Sequence, residues 1–163
     1  MTVVSNTSPV SNLAIIGRLD LLQEQFTTLL IPSAVQVELE ALDHAKALEF
    51  VRQATGKWLE VVPVSNRHAV RAFQETLDLG EAEAIALALE RNADILLLDE
   101  ADGREAAVGA GLRVRGALGV LRKAKRNGRI SSLREELRRL RAEAHFFISP
   151  ALERSLLTSV GES

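Results

Sequence analysis

The chain has 163 residues, enough for one domain with a substantial core and short for two, so a single domain over 1–163 is expected. It contains no cysteine, which excludes disulfides, thiolate metal sites and a cysteine nucleophile, and which fits a cytosolic location. The net charge of -2 conceals two opposed parts: residues 1–100 carry 7 basic and 15 acidic side chains, residues 101–163 carry 13 and 7.

The first strand is read at Thr2 to Ser5. Ser8-Pro9 then offers an N-cap and a proline at the first helical position for a helix through Ile16, which Gly17 ends. A short helix near Leu19 to Gln25 leads to a strand at Thr28 to Ile31, and Pro32-Ser33 opens a helix to about Leu42. Another helix is expected over Ala45 to Gln53, a strand over Trp58 to Val64, and two helices over about Asn66 to Thr76 and Glu81 to Arg91. The strand Ile95 to Leu98 follows, then a helix from Asp102 to about Ala110 and a short strand at Leu112 to Val114. Helices near Leu118 to Arg126, Ser132 to Ala144 and Pro150 to Leu157 make a basic, helical C-terminal portion from about residue 116. Ser132 with Glu135 has capping-box spacing. Short β-branched or leucine-rich runs alternating with longer periodic segments predict a parallel sheet covered on both faces. Apolar runs such as Ala84 to Leu89 fall far below the roughly 20 residues of a membrane span. The N-terminus reads directly as a strand, so no secretory signal is expected.

Ligands of an open α/β sheet sit outside the carboxyl ends of its strands, and four polar side chains follow strand or turn signals there: Asn6, Glu38, Glu81 and Asp99. At about 100° per residue, Glu81 lies in line with Ile85 and Ala88, continuing the buried stripe, while Glu83 points with Glu90 to the opposite, solvated side. Glu38 falls about 60° from Val35 and so reaches the edge of its apolar face; Glu40 does not. Asp99 reads as a strand-end side chain aimed into the crevice. Asp102 is better read as a helix cap, because Asp102-Gly103-Arg104-Glu105 has capping-box spacing, and Glu100 is expected to face solvent. Oxygen ligands of this kind suit Mg²⁺ or Mn²⁺. Asn6 brings an amide oxygen without charge, with the hydroxyls of Thr7 and Ser8 beside it. Arg104 could balance the acidic set or hold a phosphate. Eleven basic residues between Arg113 and Arg141 face only Glu135 and Glu136, a flank suited to a polyanion. His44, His68 and His145 lack zinc-enzyme spacing, the glycines lack phosphate-loop spacing, and Trp58 and the Phe146-Phe147 pair are expected to be core anchors.

The segments Val3-Val4-Ser5-Asn6-Thr7-Ser8-Pro9, Pro32-x-x-Val35-x-x-Glu38, Leu79-Gly80-Glu81-Ala82-Glu83-Ala84 and Leu97-Leu98-Asp99-Glu100 followed by Arg104 together resemble the PIN-domain superfamily. More closely they resemble a prokaryotic branch related to VapC-type ribonuclease toxins, and Leu156-Leu157-x-x-Val160-Gly161-Glu162 is similar to that branch's tail. The resemblance implies a three-layer α/β/α sandwich with a central parallel sheet, and an acidic cleft holding Mg²⁺ or Mn²⁺ for phosphodiester hydrolysis. It places Asn6 at the family's first acidic position and Glu38, Glu81 and Asp99 at the other three, with Glu83 and Asp102 as alternatives for the third and fourth. A metal-dependent endoribonuclease acting on RNA is the activity implied. A toxin role, a cognate antitoxin and a homodimer come with the resemblance as expectations. Thr7, Ser8, Arg104, Arg122, Lys123, Lys125 and Arg126 are the expected substrate-binding residues. Because Asn6 departs from a carboxylate, the rival reading is a PIN-like module that binds RNA or a protein partner without cleaving. A phosphatase is disfavoured, since the first strand ends in Asn6-Thr7-Ser8 and supplies no aspartate nucleophile.

Overall fold

The computed structural model describes all 163 residues. In chain order the elements are β1 (Val3–Ser5), α1 (Thr7–Ile15), α2 (Asp20–Phe26), β2 (Leu29–Ile31), α3 (Ser33–Glu40), α4 (Ala45–Ala54) and β3 (Leu59–Val61). They continue with α5 (Arg67–Phe73), α6 (Leu79–Glu90), β4 (Ile95–Leu97), α7 (Ala101–Gly109), β5 (Val114–Arg115), α8 (Ala117–Arg126), α9 (Leu133–Ala144) and α10 (Pro150–Ser159). All strand pairings are parallel, in the order β3-β2-β1-β4-β5. Alternation along the strands assigns side chains to two apolar cores. Val3, Ile95 and Leu97 face the helices α1, α2, α8 and α9, while Val4, Leu96 and Leu98 face α5, α6 and α7. The result is the three-layer α/β/α sandwich with a central parallel sheet. No helix is long and apolar enough to cross a membrane.

The chain reverses its direction of winding between β1 and β4, which are neighbours although far apart in sequence. Such a switch point opens a crevice at the strands' carboxyl ends, and Asn6 and Asp99 are the residues that leave β1 and β4 there. The backbone N–H of Asn6 still donates to the Leu97 carbonyl at 2.9 Å, so the ladder holds the two strand ends together.

Several boundaries differ from the sequence expectation. The cap of α1 is Asn6, not Ser8, so Pro9 stands inside the first turn. The first turn of α6 starts at Leu79 because the Asp78 carboxylate accepts from the Glu81 N–H at 2.8 Å. Glu100 caps α7, which leaves Asp102 exposed in the first turn and without the capping role its spacing suggested. Leu112 is not in the last strand: its N–H bonds back to the Ala107 carbonyl across Gly111, whose φ of +86° closes the helix end, and β5 starts two residues later. Ser132 accepts from the Glu135 N–H as expected, but the Glu135 carboxylate turns to Arg138 instead of completing the box.

The C-terminal Glu162 is a structural device. Its carboxylate accepts from the N–H groups of Leu133 (2.6 Å) and Arg134 (3.1 Å) at the start of α9 and lies 3.6 Å from Lys125. Burial pushes its pKa up, but the helix N–H groups and Lys125 together hold it below the ordinary glutamate value. A depressed carboxylate stabilises above its unfolded pKa, and that contribution is lost as pH falls through the folded one. Glu162→Gln is therefore expected to cost about 1 kcal/mol at pH 7, as for loss of a helix cap, and progressively less toward pH 3. Urea denaturation at the two pH values checks this.

Candidate active site

Asn6 is 3% exposed, and although it is the N-cap of α1 its side chain makes no capping bond. Its amide nitrogen donates to the Glu100 carboxylate at 3.4 Å, while Oδ1 is buried without a partner. A cap or turn role would have used that oxygen on the backbone, so local structure does not account for the residue.

Asp99 divides its work between its two oxygens. Oδ1 accepts from the Ala117 N–H at 2.8 Å, capping α8, whose own N-cap is Gly116 and has no side chain to offer. Oδ2 is buried and unpartnered. A Cβ on Gly116 would stand 2.6 Å from Oδ1, so only glycine lets the helix start this close to the carboxylate. Burial, with Glu100 adding repulsion, drives the Asp99 carboxyl up to about 6, against the opposing Ala117 N–H, the nearby Asn12 side-chain amide and Arg104. The Arg104 guanidinium is fixed nearby by donating to the Leu98 carbonyl at 2.9 Å.

Glu38 and Glu81 approach from α3 and α6. Glu38 is exposed overall, more than the edge of an apolar face would suggest, but its carboxylate accepts from the Thr7 hydroxyl and rests against Gly80. Burial of that carboxylate, with Asp78 and Glu100 adding repulsion, raises its pKa. Glu81 is buried, as its helical phase predicted, and its carboxylate packs where a Cβ on Gly103 would stand 2.7 Å away. Its pKa is pushed up to about 7 by burial first and by Asp78 second. Each of the three carboxylates thus lies over a glycine that clears space for it.

Two acidic residues were missed in the sequence. Glu100 is exposed as expected, yet its carboxylate accepts from the Ser8 hydroxyl and the Asn6 amide, and its charge raises the pKa of Glu38, Glu81 and Asp99 alike. Asp78 acts on Glu38 and Glu81 in the same way. The available signal for Glu100 was its adjacency to Asp99 at a strand end; for Asp78 it was the capping position before a helix start. Thr7 and Ser8 serve these carboxylates.

The alternatives separate cleanly. Glu83, expected on a solvated face, is only 4% exposed: its carboxylate pairs with Arg67 at 2.8 Å and accepts from the Ala34 N–H at 2.9 Å, capping α3. Helical phase misplaced Glu83 because α6 is enclosed nearly all round by α3, α5 and the sheet, so it has no solvated face at that level. Asp102 is exposed. No three Asp, Glu or His side chains close on a point tightly enough to hold an ion by themselves.

Beside Asp99 opens a cleft of about 880 Å³. Arg104, Arg115, Arg122, Lys123 and Arg126 line it with Phe146 and Phe147, and none of these cations is taken up by an ion pair. Lys125, expected among the substrate-binding residues, is not in the wall: its ammonium donates to the Ser131 carbonyl at 2.7 Å and pairs with Glu162. Phe146 packs against the core as expected, but Phe147 is 85% exposed and anchors nothing. His44 caps α4 by accepting from the Ala47 N–H at 3.0 Å, and His68 and His145 are exposed.

No curated protein matches the chain. A family model described as a PIN domain matches residues 2–162, nearly the whole length, and its agreement with the parallel sheet and the acidic switch-point crevice leads to one conclusion. The chain belongs to the PIN-domain family.

Proposed function

We infer that this chain shares the activity general among PIN domains, nucleic-acid cleavage that typically uses divalent metal ions. We propose that this chain is a metal-dependent endoribonuclease with Asn6, Glu38, Glu81 and Asp99 as its centre. The observation carrying this reading is the pair of buried, unpartnered oxygens, Asn6 Oδ1 and Asp99 Oδ2, at the switch point and beside a cationic cleft. An orphaned buried acceptor costs about 1–3 kcal/mol, and two on facing strand ends suit a hard cation, whose ligands are oxygens. Asn6 and Asp99 would hold it, with Glu38 and Glu81 approaching from the helices. A bound Mg²⁺ or Mn²⁺ would supply Lewis acidity toward phosphate and a lowered pKa for its water.

The protein's own groups account for the rest. The Ala117 N–H fixes the Asp99 carboxylate so that Oδ2 cannot swing away. Glu81, titrating near neutrality, is matched to taking a proton from the attacking water and returning one to the leaving oxygen once the P–O bond breaks. Arg104 and Arg115, which line the cleft beside Asp99, would neutralise phosphate charge. Glu100 answers the departure at Asn6: the amide donates to it, so the negative charge missing from the first position is supplied one hydrogen bond away.

End-labelled RNA incubated with Mg²⁺ or Mn²⁺ tests the reading, with cleavage expected for the wild type and none in a chelator. Glu81→Gln should lower the rate at least about 100-fold at pH 7.5, the lower end of what a general base contributes. Unchanged cleavage in that variant would remove Glu81 from the centre. The uncharged Asn6 favours a second reading, a module that binds RNA without cleaving it, and robust metal-dependent turnover overturns that. A toxin role, with an antitoxin and a homodimer, rests on the resemblance to VapC-type toxins alone.

A further inference from the structure

Phe147 sits in the connection between α9 and α10, and its exposure is not the looseness of a free loop. His145 turns the chain with a φ of 54°, the Phe146 N–H bonds to the Leu140 carbonyl at 3.1 Å, and the Phe146 ring packs on the core. On the other side Ile148 is buried, and its carbonyl accepts from Arg141 at 2.9 Å. Both neighbours point inward and are tied down, so the ring between them is held outward. It shares one cleft with Arg115, Arg122, Lys123 and Arg126, and Asp99 lines the same cleft.

A rigid aromatic face beside unpaired cations is the combination that grips an unpaired nucleotide, the ring stacking a base and the cations taking phosphates. We propose that Phe147 is the base-stacking residue of this cleft, positioning one unstacked base of an RNA strand whose backbone runs along the cations toward Asp99. The inference rests on the nuclease reading for its direction, not for its test. A protein partner or a second copy is the less favoured occupant, because the wall presents five cations and one carboxylate and so is complementary to a polyanion. Duplex RNA should bind less well, since its bases are already stacked.

The experiment is fluorescence anisotropy with a short labelled single-stranded RNA in a chelator, which removes cleavage from the readout. Phe147→Ala is expected to weaken binding roughly 10- to 100-fold, as loss of a base–aromatic stack does, and Phe147→Trp to restore it. An RNA made abasic at the stacked position, found by scanning, should bind wild type and Phe147→Ala equally, which a merely structural role would not produce. Arg122→Ala should instead weaken every RNA alike and reduce the salt dependence. Equal affinity of wild type and Phe147→Ala for intact RNA would overturn the proposal. So would a Phe147→Ala effect confined to self-association in sedimentation. Phe147-dependent binding without cleavage in Mn²⁺ would leave the stacking role standing while the nuclease reading fell.

Discussion

Asp99→Asn is expected to lower RNA cleavage by at least about 100-fold, a loss of roughly 2.7 kcal/mol of transition-state stabilisation, while leaving the fold intact. The two effects separate because the two oxygens of Asp99 do different things. An asparagine keeps an acceptor for the Ala117 N–H, so α8 remains capped. It removes the charge on the unpartnered oxygen, which is the group that would face metal and phosphate. Burial already disfavours that charge, so the variant should be at least as stable as wild type at pH 8. Glu83→Gln should behave in the opposite way. Its carboxylate is occupied by Arg67 and by the start of α3, so the substitution should lower stability by about 1–3 kcal/mol and leave cleavage per folded molecule within about threefold. Cleavage rates measured beside thermal melts decide the matter, and a stable, fully active Asp99→Asn would sink the assigned centre.

In a chelator the protein should lose stability as pH rises from 5 to 8, against the usual behaviour of acidic groups. Glu38, Glu81 and Asp99 all have folded pKa values raised above their ordinary ones, Glu81 to about 7 and Asp99 to about 6. The folded state therefore holds protons that the unfolded chain has released. The stability linked to them is complete below the unfolded values, near 4, and is lost as pH climbs through 6 and 7. For Asp99, a rise from 3.8 to about 6 corresponds to about 3 kcal/mol. The depressed carboxylates, Glu135, Glu153 and Glu162, act below this window and do not mask it. Mn²⁺ or Mg²⁺ binding only the folded state should reverse the loss, by about 2.7 kcal/mol at 100 times its dissociation constant, and more at pH 8 than at pH 5. A melting temperature flat across this range, with no response to either ion, would show that the acidic crevice is not a cation site.

Much of this protein was legible in the sequence because the signals were local. Short apolar runs between periodic segments marked the alternation of strands and helices, and strand ends marked Asn6 and Asp99. Helical phase alone identified Glu81 as buried, since Ile85 and Ala88 share its line. The same tool misplaced Glu83, because phase gives a direction but not what lies there, and α3 and Arg67 fill that side. Capping spacing misled at Asp102 and Ser8, where the backbone began its helices earlier than the motif suggested. Glu100 was read as solvent-facing, which it is, but without its part in the acidic set, and Phe147 was read oppositely to its setting. It looked like a core anchor and stands in the cleft wall.

The sequence by itself determined the alternation of elements, the buried stripes and the residue types able to bind a hard cation, because each depends on neighbours within a few positions. Only the tertiary structure decided that β1 and β4 lie side by side, which brings residues 6 and 99 to one crevice. It alone gave Asp99 a helix start to cap and left its second oxygen free, and it alone assembled the cationic wall from α7, β5 and α8 beside the aromatic segment before α10. The physical reason is that long-range pairing and close packing set which polar atoms find partners, and an unpartnered buried oxygen is a property of the assembled fold.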